Sequence, residues 1–145
     1  MLVRTQLLDQ LVRDHGFAPD RVNLSFVKLD CEGGEPLLLT GAREVLRRFR
    51  PILCVEVNRA SLRAAGAALE AIQGTLRSLN YELHPACLTR HGIRRAFELL
   101  RLASLDIPAA DCFDVVAVHP DRRDLVEQWL KRNSGHDTRE AGPFL

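Results

Sequence analysis

The residues with the most chemical potential are Asp30, Glu32 and Glu35, carboxylates set around the Gly33-Gly34 pair where the apolar run Leu24 to Leu29 ends and Pro36 begins a helix. Acids gathered at one turn can orient or deprotonate a hydroxyl. In an open α/β sheet, ligands bind in the crevice beyond the carboxyl ends of the strands, so acids at that position carry more weight than acids on a helix face. Asp30, at the mouth of the sheet, is the best placed to act on an acceptor. Glu32 flanks it on the turn, and these two are the candidate catalytic residues. Glu35 is a candidate for substrate contact; the alternative is capping of the helix that starts at Pro36, where an acid satisfies orphan amides and favours the dipole. Acids this close repel one another, so one is protonated, or a cation, an arginine or helix amides neutralise them. No metal is expected, because a divalent cation needs more oxygen ligands than the turn supplies.

Glu56 and Asn58 lie late in and just after the run Ile52 to Val57, again at the crevice end, and are further candidates for substrate contact. A glutamate on a buried strand needs a partner or a ligand, and both readings stay open. Lys28 can pair with an acid. Cys31 reads as packed rather than nucleophilic, since nothing near it in sequence activates a thiolate. His84 and His119 end strands without metal-ligand spacing and read as structural. Gly33 and Gly34 permit a tight backbone, and offer no G-x-G phosphate loop.

These side chains need elements to hold them. Thr5 can cap a helix over residues 6 to 15 with Leu7, Leu8, Leu11 and Val12 at helical spacing, and Gly16 supplies a left-handed stop. Leu24 to Leu29 is short, β-branched and aromatic, which predicts a strand. Pro36 opens a helix striped by Leu38, Ala42, Val45, Leu46 and Phe49, which Arg50-Pro51 breaks. Ile52 to Val57 is nearly all apolar, the pattern of a strand covered on both faces. Ser61 can cap a helix reaching Leu79, and Tyr81 to His84 is a short strand. A helical piece is expected around Ile93 to Ala103, then a last strand at Phe113 to His119 and a closing helix capped by Asp121 and running through Trp129. Alternating strands and helices predict a mostly parallel α/β sheet with helices on both faces.

The 145 residues, 46% hydrophobic and 27% charged, suit one domain over residues 1–132, with a polar tail over 133–145 expected to be disordered. A formal charge of +1 argues against a nucleic-acid partner bound by phosphate neutralisation. The arginines between 47 and 50 read as a solvated helix end that complements the dipole. The four cysteines form no C-x-x-C pair and fit free thiols in a reducing cytosol. No apolar run approaches the roughly 20 residues of a membrane span and no signal pattern follows Met1, so a soluble cytoplasmic protein is expected.

Taken together, Thr5 with Leu8-Asp9, the run Phe26-Val27-Lys28-Leu29-Asp30-Cys31-Glu32-Gly33-Gly34-Glu35, then Leu39 with Gly41-Ala42, then Arg50-Pro51 leading into Cys54-Val55-Glu56-Val57, resemble the carboxyl-terminal half of FkbM-type methyltransferases. The resemblance covers Val3 to Asn80 closely and Asp114 to His119 more loosely. It implies a Rossmann-like, S-adenosylmethionine-dependent class I methyltransferase fold, with an antiparallel final strand in an otherwise mostly parallel sheet. It also implies transfer of a methyl group to oxygen, commonly a hydroxyl of a sugar or small metabolite.

Enzymes of this kind carry a glycine-rich cofactor turn after their first strand and an acid after the second, and the sequence begins past both. The cofactor-binding residues are therefore unknown, and the expectation is a truncated methyltransferase domain. The alternative is a non-catalytic remnant, or a subunit of a split enzyme that completes its sheet with a partner chain or a second copy, since the strand at 24 to 29 would have an unpaired edge. A third class, an unrelated nucleotide-binding α/β protein, lacks any phosphate loop.

Overall fold

The computed structural model describes residues 5–91, 94–99 and 110–134, with 87–91, 94–99 and 130–134 described by their backbone alone. The chain runs α1 (Leu8–Asp14), β1 (Phe26–Leu29), α2 (Glu35–Thr40), α3 (Arg43–Phe49), β2 (Ile52–Asn58), α4 (Arg59–Ala64), α5 (Leu69–Ser78), β3 (Glu82–His91), β4 (Arg94–Leu99), β5 (Cys112–Val118), a 3-10 turn (Pro120–Arg122) and α6 (Arg123–Ser134). Five strands form one sheet in the order β1-β2-β5-β3-β4.

The sheet is mixed, which corrects the expectation of a mostly parallel one. Only β1 and β2 pair in parallel; β2·β5, β5·β3 and β3·β4 are all antiparallel. Strands β1, β2 and β3 do point the same way, as strands joined through helices should. Because β5 runs back between β2 and β3, it converts what would have been a parallel neighbour pair into two antiparallel ones. The second correction is β4. The helical piece expected around Ile93 to Ala103 is a strand over Arg94–Leu99, paired in hairpin register with β3, as in Leu88 with Phe97. The rest of that stretch lies outside the described residues, as does the expected tail over 133–145 except for Asn133 and Ser134, which are the last residues of α6 rather than tail.

One face of the sheet carries the core. Leu53, Val55 and Val57 of β2 are fully buried, and with Leu29, Val115 and Ala117 they meet Leu39, Leu46, Leu62, Ile72 and Leu76 from α2 through α5. Burying each such leucine contributes about 1.5–3 kcal/mol, so this single layer dominates the stability. The alternate residues of β2, Ile52, Cys54, Glu56 and Asn58, are only half-buried on the opposite face. There, among the described residues, α6 stands beside a groove rather than over a closed layer.

Two long helices expected from apolar spacing are each split. The stripe from Pro36 to Phe49 breaks at Gly41-Ala42, where the backbone passes under Leu7: a Cβ on Gly41 would lie 2.9 Å from Leu7 Cδ2. Asp9 of α1 repairs the break, its carboxylate accepting from the backbone N–H of Glu44 at 3.1 Å and of Val45 at 2.8 Å, so it caps α3 from outside. The stripe from Ser61 to Leu79 divides around Gly66, which has φ +70°. Its first half is capped by Asn58 rather than Ser61. The closing helix is entered through the 3-10 turn, whose cap is His119 rather than Asp121: His119 Nδ1 accepts from the Asp121 N–H.

Candidate functional site

The corner after β1 is built by its own backbone. Glu32 (φ +50°) and Gly33 (φ +98°) are consecutive left-handed residues, and they turn the chain sharply enough to bring Glu35 back under the loop. The Glu35 carboxylate, 2% exposed, accepts from the Cys31 N–H at 2.8 Å and from the Gly33 N–H at 3.0 Å. It therefore faces inward as a clamp on the turn. Gly33 admits no side chain: a Cβ there would sit 2.5 Å from the Ser61 carbonyl of α4. The tight packing of corner on α4 explains the glycine.

The other acids face outward. Asp30 lies just past β1 and accepts from Lys28 Nζ at 2.7 Å, both side chains partly exposed. Lys28 is held protonated above its ordinary range, by the Asp30 hydrogen bond first and its charge second, with Glu56 and Asp114 adding to it. Glu32 is exposed and accepts from the Ser61 hydroxyl at 3.0 Å, which ties the turn to α4. Asn58 spends its side-chain oxygen on the N–H groups of Ala60 and Ser61 as the cap of α4.

Sheet register then gathers a set that reading along the chain does not disclose. Lys28 pairs with Cys54, Glu56 with Asp114, and Asn58 with Cys112, so all of them share the face away from the core. Two carboxylates directly opposite each other on antiparallel strands repel. Lys28 provides a nearby positive charge, and the Cys112 thiol donates to Glu56 Oε1 at 3.6 Å. Both thiols are held above their usual pKa, Cys54 by burial and then by Asp114, Cys112 by partial desolvation and then by Glu56. Neither is poised as a nucleophilic thiolate. No local pattern marks Asp114 or Cys112, because only the β2·β5 register, 58 residues apart at Glu56 and Asp114, places them here.

Among the described residues, no three of His, Cys, Asp or Glu are grouped so as to hold a metal ion, and no helix is long and apolar enough to cross a membrane. The arrangement offers an outward carboxylate, Asp30, fixed by an ammonium at the carboxyl end of a parallel strand pair, with Glu56 and Asp114 on the adjoining sheet face.

Compared with known families, residues 1–83 match the model described as the methyltransferase FkbM domain. That span takes in β1, the acidic corner, β2 and both helices that follow, and stops at the start of β3. No curated protein and no solved structure matches.

Proposed function

The chain belongs to the FkbM methyltransferase family, and from that premise we propose that it serves S-adenosylmethionine-dependent transfer of a methyl group to a hydroxyl of a sugar or small metabolite, with the corner after β1 on the acceptor side. The observation that carries this reading is the placement of Asp30: solvent-facing, past the end of β1, and held by Lys28 at 2.7 Å. A carboxylate so held can accept the hydrogen bond of an acceptor hydroxyl, orient its lone pair, and take up its proton as the new bond forms. Glu32, tethered to Ser61, borders the same opening and assists in orienting the acceptor. The inward Glu35 and the capping Asn58 support the corner's shape.

At the corner itself the described residues leave no room for the cofactor's nucleoside. A nucleoside needs backbone open to close approach, and the space before Gly33 is filled by the Ser61 carbonyl. In this reading the corner serves the acceptor, and a reducing compartment is in keeping with Cys31, Cys54 and Cys112 as free thiols.

The test is methyl transfer from labelled S-adenosylmethionine to a panel of hydroxyl acceptors. Asp30→Asn is expected to lower kcat by about 10²- to 10⁴-fold while leaving thermal unfolding unchanged, because the side chain is partly exposed. A variant as fast as the parent protein removes Asp30 from the mechanism, and failure of every hydroxyl acceptor removes O-methylation.

A second reading has its own observation. The outer edge of β1 has no strand beside it among the described residues, and Phe26 on that edge is 57% exposed. Such an edge suits completion by another polypeptide, which would make this chain a subunit or a non-catalytic remnant. Sedimentation as a monomer at all concentrations would count against that need.

A further inference from the structure

The sheet face away from the core is graded along the strands. At the amino-terminal ends of β1 and β2, Phe26, Ile52, Cys54 and Val116 form the floor of a groove of about 620 Å³, walled on one side by Leu125 and Trp129 of α6. On the same face Lys28 stands level with Cys54, and one step further along lie Glu56 and Asp114, with Asp30 bound to Lys28. Cys54 belongs to both regions, since it lines the groove while Asp114, Lys28, Glu56 and Asp30 all act on its thiol. The guanidinium of Arg59 stacks on Phe113, whose register partner Val57 is in the core, and so lies toward the opposite face.

This volume falls within the roughly 300–1,000 Å³ of small-molecule sites, which join an apolar body to a few polar groups at one end. Here the polar end holds Asp30, Glu56 and Asp114 against the Lys28 ammonium, with the His84 imidazole beyond Val116 on the same face, so its charge suits a cation. From Phe26 to Asp30 is four residues, about 13 Å of extended chain, which sets the length of an occupant that reaches both.

We infer that this groove receives the apolar body of an amphipathic small molecule whose protonated amine points to Glu56 and Asp114. As the class of methyl acceptor, an amine-bearing compound with an apolar portion and a hydroxyl near Asp30, it rests on the proposal above; as a binding site it stands apart from it. Trp129 is the chain's single tryptophan and borders the groove, so its emission reports occupancy.

The experiment uses the whole protein without methyl donor and three probes of one shape: 4-phenylbutylamine, 4-phenylbutanol and 4-phenylbutyrate. The amine is expected to saturate the Trp129 signal and to bind at least tenfold tighter than the carboxylate, with the alcohol between them. Glu56→Gln with Asp114→Asn is expected to erase the preference for the amine while leaving apolar binding. Phe26→Ala, at an exposed position of the floor where folding is not at risk, is expected to weaken all three several-fold. Equal affinity for the three probes, no saturable signal, or binding indifferent to Phe26→Ala overturns the site. Methyl transfer to purely polar sugars at rates unaffected by an apolar group would end the acceptor assignment and leave the proposed function standing.

Discussion

Glu35 is the acid whose removal should be felt most by the fold. It is a carboxylate taken out of water and compensated by amides at Cys31 and Gly33. Replacing it with alanine leaves those donors buried and unpaired, a loss of about 2–4 kcal/mol that urea unfolding will read; Glu35→Gln, which retains one acceptor oxygen, should lose less. Gly33→Ala meets two obstacles, a φ of +98° and the Ser61 carbonyl at 2.5 Å. It is expected to cost about 3 kcal/mol or more by the same measurement. The sequence made the acids and glycines of this turn conspicuous, and it weighed capping against substrate contact for Glu35. It could not decide between them, because the direction of each carboxylate follows from two left-handed residues in succession. Asp9 was out of reach for a different reason: it caps α3 from 35 residues away, and no local pattern encodes that partnership.

Elements with strong internal signals were legible, and those decided by their neighbours were not. β1, β2 and β5 stand out as apolar runs and appear within a few residues of where the pattern puts them. β4 does not, since Arg94–Leu99 owes its extended form to pairing with β3, and tertiary partners override a weak helical periodicity. The entry to α6 carries a prediction of its own. His119 is buried against the Tyr81 ring, with centroids 5.6 Å apart, and its Nδ1 must be unprotonated to accept from the Asp121 N–H. Burial lowers its pKa from 6.5; Asp121 opposes that shift, while Arg50 and Arg122 reinforce it. A histidine with a depressed folded pKa favours the native state fully above about 6.5, and that contribution is lost as pH falls from there through the folded value. Stability measured by urea between pH 7.5 and pH 5 should therefore decline on acidification, and His119→Asn should flatten that part of the profile.

At the scale of the whole molecule, one face of the sheet is closed by α2 through α5 and the other is partly open among the described residues, which the nearly continuous hydrophobicity of Ile52 to Val57 did not foretell. Apolar residues on an alternating strand do not say whether their second face meets protein, ligand or water. The edge of β1 joins that open face through Phe26. If association proceeds there, Phe26→Lys is expected to shift sedimentation toward monomer, because a lysine on an edge strand opposes strand addition; an unchanged distribution would place any interface elsewhere.

The position of β5 in mid-sheet has a consequence for how the chain reaches its native form. β5 is made after the other four strands, yet it is the strand that joins the β1-β2 half to the β3-β4 half. During synthesis the two halves emerge with facing edges open, and they can be sealed only when residue 118 is clear of the ribosome. Contacts that span so much sequence form slowly, and exposed edges attract other chains in the interval. A nascent chain arrested before Cys112 should be held by chaperones as two unsealed halves, whereas one released beyond Val118 can close.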